Sequence, residues 1–165
     1  MRKVLAGFCF VALLAIPAFA ADSFTTQVKA TVDYTLTVTS TIGTQTVVDV
    51  TQTSATLGKL NLVSNLNGYS LTVSSANSGK MIRQGGTEQY PFTLSVTSSN
   101  TALGTSGTLV SAWNFSTGNW TFNATGAQPA SEISFVINYQ KAADFSPALP
   151  AGVYIDTLTF TIQSN

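Results

Sequence analysis

The sequence predicts an all-β fold, an antiparallel β-sandwich of about seven to nine short strands. Three observations carry that expectation. Apolar residues recur with a period of two in several stretches, the spacing of a strand with one buried face. Clusters of Gly, Asn, Ser and Pro separate those stretches at short intervals. No stretch beyond residue 20 sustains helical three-four spacing over ten residues, and a single turn near 141–145 is the most helix expected.

The first twenty residues stand apart. Arg2 and Lys3 precede the apolar run "VLAGFCFVALLAI", which is short for a bilayer span, and "AFA" before Ala21 is a small-x-small cleavage site. This pattern is a secretory signal peptide over residues 1–20, cut between Ala20 and Ala21. A lipoprotein is excluded because Cys9 lies inside the apolar run behind Phe8. Residues 21–165 then make one domain, secreted to the periplasm or cell surface, with no membrane span left after cleavage.

From residue 21 onward, five basic and seven acidic residues remain, a net charge near −2. Such a balance gives no electrostatic footprint for nucleic acid or an anionic membrane. Ser and Thr supply 43 of these 145 residues. That share alone would suit a hydroxyl-rich stalk, but the regular interleaving of Val, Leu, Ile, Phe and Tyr argues for strands.

The elements follow in order. Phe24, Val28, Ala30, Val32, Tyr34, Leu36 and Val38 share one parity, which predicts one long strand or two collinear ones. "STIGT" (40–44) is a turn. Residues 46–64 hold two extended pieces broken near Gly58. Asn67–Gly68 turns into a strand with Tyr69, Leu71 and Val73 on one face, and "SANSG" (75–79) turns again. Beyond Gly85–Gly86, Tyr90, Phe92, Leu94 and Val96 share a face. Pro91 cannot donate to a ladder and marks a strand edge or bulge. Residues 98–112 read as loop. Ile133, Phe135, Ile137 and Tyr139 form the next face, and the last run sets Leu158, Phe160 and Ile162 inward with Thr157, Thr159 and Thr161 outward.

The chemistry available is narrow. Histidine is absent and the one cysteine lies in the signal peptide, which excludes Ser–His or Cys–His nucleophiles and removes the preferred zinc ligands. The seven remaining acids are isolated in sequence, and a glycosidase-like pair would need two of them to meet across a cleft. No phosphate loop or calcium loop is present. The expectation is therefore no enzyme, with no catalytic, cofactor-binding or metal-ligating residue. The sharpest remaining feature is the aromatic segment with Trp113, Phe115, Trp120 and Phe122. It is either core filling between two sheets or a contact face for a partner or glycan at Trp113, Phe115 and Trp120.

A family resemblance enters on three stretches. "LPAGVYIDTLTFTI" (149–162) resembles the "PAGxYxDTVxVxI" ending of spore coat protein U-like domains and, more loosely, the last strand of chaperone–usher pilins. "LGKLNLVSN" with "GYSLTVSSANSGKM", and "YPFTLSV", are similar to bacterial fimbrial or coat-like secreted domains. The resemblance implies an immunoglobulin-like sandwich and a structural role at a bacterial surface, as a pilus- or coat-like subunit. Its partners would be copies of itself, related surface subunits, and a periplasmic chaperone. Two features depart from those families: no cysteine follows residue 20, and the chain ends in "QSN" without the terminal Tyr that pilins offer a chaperone. Association would proceed by β-strand addition, with "FTTQVKATV" (Phe24, Val28, Ala30, Val32) as the exchanged segment. The alternative from another class is a self-contained extracellular module that recognises glycan or matrix through residues 113–122.

Overall fold

The computed structural model describes residues 27–33, 35–65, 68–99, 107–125 and 128–164. The expected signal peptide, its expected cleavage position between Ala20 and Ala21, Phe24 and the Asn67 turn position lie outside them. The chain divides into two compact units, Met1–Val32 and Asp33–Asn165. Of the first, residues 27–32 are described, and they are exposed and in no strand.

The second unit is all-β and antiparallel, with no α-helix among the described residues. Its strands are β1 (Leu36–Ser40), β2 (Ser54–Ser64), β3 (Gly68–Ser75), β4 (Lys80–Arg83), β5 (Gln89–Ser98), β6 (Gly107–Trp113), β7 (Trp120–Thr125), β8 (Gln128–Tyr139), β9 (Tyr154–Ile155) and β10 (Leu158–Ser164). Seven of them form one curled, half-barrel sheet in the order β1-β2-β8-β5-β4-β9, with β6 also on β5; the other three form a sheet in the order β10-β3-β7. The ten strands among the described residues exceed the seven to nine expected. The excess arises where the sequence signals are weakest: β6 lies in the stretch expected as loop, and the closing run splits into β9 and β10.

Period-two burial explains the sheets. Tyr90, Phe92, Leu94 and Val96 of β5, Ile133, Phe135, Ile137 and Tyr139 of β8, and Tyr69, Leu71 and Val73 of β3 are all buried. Residues of both sheets enter one core cluster, with Leu158, Phe160 and Ile162 half-buried against it. Phe135 lies edge-on to Trp120 of β7 (6.4 Å between ring centroids) and to Phe160 of β10 (5.0 Å), so it touches both outer strands of the smaller sheet. Pro91 sits one residue before the β8 ladder begins at Phe92, where β5 also exchanges β4 for β6 on its other edge. There its missing N–H costs little.

The expected break at Gly58 is instead a bulge inside one continuous strand. Thr56 pairs with Val136 and Gly58 with Phe135, which leaves Leu57 as the extra residue. Leu57 and Leu60 have opposite parity, and the inserted residue lets both face the core side. The long first strand is also corrected. Among the described residues it begins only at Leu36, and β1 is exposed apart from half-buried Leu36.

One core group has no partner. The Tyr69 hydroxyl is buried without a hydrogen bond among the described residues, and burial pushes its phenol above the usual range. Removing an orphaned hydroxyl relieves a desolvation cost of about 1–3 kcal/mol. Tyr69→Phe is expected to melt at or above the temperature of the parent protein. A clear loss in a thermal melt would mean that the hydroxyl has a partner.

Candidate functional site

The "PAGVYID" corner decides the local geometry. Tyr154 and Ile155 pair with β4 at Arg83 and Ile82, in the larger sheet. Gln84 N donates to Val153 O at 2.8 Å, and the Tyr154 hydroxyl donates to Pro150 O at 2.8 Å. Three residues later the chain belongs to the other sheet, with Leu158 opposite Ser75. Asp156 pins this crossover. Its carboxylate accepts from Ser75 Oγ (2.5 Å), Asn77 N (3.0 Å) and Thr157 N (2.8 Å), which ties the corner to the 75–79 turn. That turn needs left-handed backbone at Ser78 and Gly79. Asp156→Ala strands two backbone donors and a hydroxyl, and is expected to cost about 1–3 kcal/mol in a urea melt. Asp156→Asn, which keeps one acceptor oxygen, should cost less; no loss in either would remove the crossover role.

Beside this corner lies a cleft of 810 Å³. Residues 42–48 with Val50, and residues 149–158, line it, with Leu57, Met81, Tyr90, Phe92 and Phe160 also in the lining. The only charged residue in the lining is Asp156. Tyr90 is fixed within it: its hydroxyl donates to Gln140 O at 2.6 Å, and its ring meets Phe145 and Tyr154 edge-on. Burial, and secondarily Tyr139, push the Tyr90 phenol upward.

Beyond the cleft, the Arg83–Glu88 ion pair (2.7 Å) closes the β4–β5 corner. The Arg83 hydrogen bond holds the Glu88 carboxyl below its ordinary value. Its contribution is therefore present above that ordinary value and is lost as pH falls through the lowered one. A second, more open groove of 610 Å³ is lined by Ser78, Lys80, Asn114, Ser116, Asn138 and Gln140, among others. Among the described residues no cluster of three or more His, Cys, Asp or Glu side chains is placed to hold a metal ion. No helix among them is long and apolar enough to cross a membrane.

No family model, curated protein or solved structure matches this chain. The site rests on its own geometry.

The structure separates the residues singled out from the sequence. Trp120 and Phe115 are buried core residues, and Trp120 stacks on Phe122. Trp113 is half-buried, with its indole N–H donating to Gly118 O at 3.0 Å. Of the surface contact considered at Trp113, Phe115 and Trp120, only Trp113 keeps an accessible part, because the other two rings fill core space. In the N-terminal run, Val28 and Val32 are 89% and 75% exposed, and Ala30 is exposed too. The run joins the second unit at Asp33, whose carbonyl accepts from Asn65 Nδ2 at 2.7 Å; Asn65 Oδ1 in turn accepts from Thr35 N at 2.7 Å.

Sequence reasoning missed the wall at 42–50. Its signal was the apolar cluster Val47, Val48 and Val50, which fits neither strand nor helix spacing. The structure leaves Val47 84% exposed in a segment outside any strand.

Proposed function

We propose that this chain is a secreted, non-enzymatic structural protein of a bacterial surface. In this reading it is an immunoglobulin-like antiparallel β-sandwich that associates with copies of itself or related subunits by β-strand addition. The observation that carries the reading is the edge of the smaller sheet: β10 pairs with β3 on one side and with no described strand on the other. An open edge with half-buried apolar side chains is a template for another strand, a liability in a monomer and a connector in an assembly. The signal-peptide pattern and the likeness of "LPAGVYIDTLTFTI" to coat- and pilin-like endings support export and a surface role.

The test is the solution mass of the exported protein, with and without residues 21–31, by analytical ultracentrifugation over a wide concentration range. The expected result is self-association of the intact chain and a folded monomer after truncation. An intact chain that stays monomeric throughout would overturn the reading.

A further inference from the structure

We propose that the 610 Å³ groove on the outer face of the larger sheet binds a short saccharide that carries a carboxylate. The inference goes beyond the subunit reading and does not depend on self-association.

The fold builds this groove from two parts. Its floor faces outward: Lys80 stands opposite Pro91 and Thr93 opposite Asn138, while their neighbours Met81, Phe92 and Tyr139 are buried. Its rim is the 114–117 turn. Phe115 is buried against Phe92, with 6.0 Å between ring centroids, and a Cβ on Gly79 would come within 3.2 Å of Phe115 Cβ. Any side chain at position 79 would crowd this ring in its seat. Held by Phe115, Asn114 and Ser116 stand exposed on either side of it.

The polar groups are oriented before any ligand arrives. Asn114 Oδ1 accepts from Ser116 N at 3.0 Å, which leaves the Asn114 amide nitrogen as a donor. Asn138 Nδ2 donates to Ser95 Oγ (2.7 Å) and Gln140 Nε2 to Asp144 O (2.6 Å), which leaves two amide oxygens as acceptors. Ser78, Thr93 and Ser116 add hydroxyls, which both donate and accept. Donors and acceptors set side by side match the vicinal hydroxyls of a sugar. Fixing them in advance lowers the entropic cost of binding. Pro91 is exposed and offers an apolar patch to the C–H face of a sugar ring.

Charge decides the class of sugar. Lys80 is the only charged residue lining the groove, and it belongs to neither of the ion pairs among the described residues. A carboxylate on the sugar would give that ammonium its partner. The groove volume lies within the range of about 300–1,000 Å³ usual for ligand clefts. Trp113 and Trp120 are outside its lining, so the site differs from the aromatic contact considered from the sequence.

The experiment titrates the exported chain with galacturonic acid and with galactose, its neutral counterpart, and reads binding by saturation-transfer NMR. The expected result is binding of galacturonate about tenfold tighter than galactose. Lys80→Met should erase that preference, and Lys29→Met, which removes an equal charge outside the lining, should keep it. Asn138→Ala should weaken both sugars alike, by about threefold or more. A thermal melt of each variant separates lost contacts from lost folding, and the Lys80→Met result stands even if Asn138→Ala unfolds. Binding of neither sugar would overturn the site. So would a preference that survives Lys80→Met, or one that Lys29→Met erases equally. Acetate competing as well as galacturonate would mean an anion site without sugar recognition, and would overturn the saccharide. A chain that binds galacturonate while staying monomeric would overturn the subunit reading alone.

Discussion

Phe135→Ala is expected to lower the unfolding free energy by about 3–5 kcal/mol, the upper range for truncating a buried aromatic ring. Phe135 is fully buried at the centre of β8 and lies edge-on to Trp120 and Phe160, the rings of the two outer strands of the smaller sheet. Its removal opens a cavity against both sheets, and strands on either side cannot relax into it without breaking register. For a domain of this size the melting temperature should fall by roughly 10–15 °C. Thr159→Ala, on the exposed face of β10, should cost under about 0.5 kcal/mol in the same melt. Similar losses at the two positions would show that Phe135 does not join the sheets.

Gly58→Ala is the second large effect, expected to cost about 3–5 kcal/mol. Gly58 has φ +136, and a Cβ there would come within 2.8 Å of Ile42 Cα, Ile42 N and Thr41 O. Those contacts are backbone and cannot swing aside. The same backbone is tied to β2 by Thr41 N donating to Lys59 O (2.9 Å) and Lys59 N donating to Thr41 Oγ1 (2.9 Å). Strained backbone costs about 1–3 kcal/mol and overpacking a similar amount, and here both act together. Gly118→Ala isolates the first term. Gly118 has φ +122, yet a Cβ there meets nothing within 4 Å, so its cost should stay within about 1–3 kcal/mol. If the two variants melted alike, the close approach of Ile42 would carry no energy. Ile42 and Leu57 both line the cleft, so Gly58→Ala should also distort its wall.

The readable parts of the fold are those where one face of a strand is buried along its described length. β3, β5 and β8 from Ser131 onward show this best, and their inward residues are the expected ones. Gly58 shows how the signal degrades. One inserted residue reverses the parity of everything before it, so a continuous strand reads as two pieces. β6 escaped because its apolar content, Leu109, Val110 and Trp113, is only half-buried. An alternation written for partial burial is faint.

The sequence by itself determined the β class, the inward face of each principal strand, the turns at 75–79 and 85–86, and the poverty of catalytic side chains. These are local properties: period two, residues that tolerate left-handed backbone, and the presence or absence of a side chain. Only the tertiary structure decided that "VYIDTLTFTI" serves two sheets. Its alternation runs unbroken across Asp156, and the crossover depends on three donors from residues 75, 77 and 157 converging on one carboxylate. The cleft was decided at the same level. Its walls, residues 42–48 with Val50 and residues 149–158, are about a hundred positions apart. What defines it is the meeting of those two segments over Leu57, Met81, Tyr90 and Phe92, which belongs to the arrangement of strands and to no residue type.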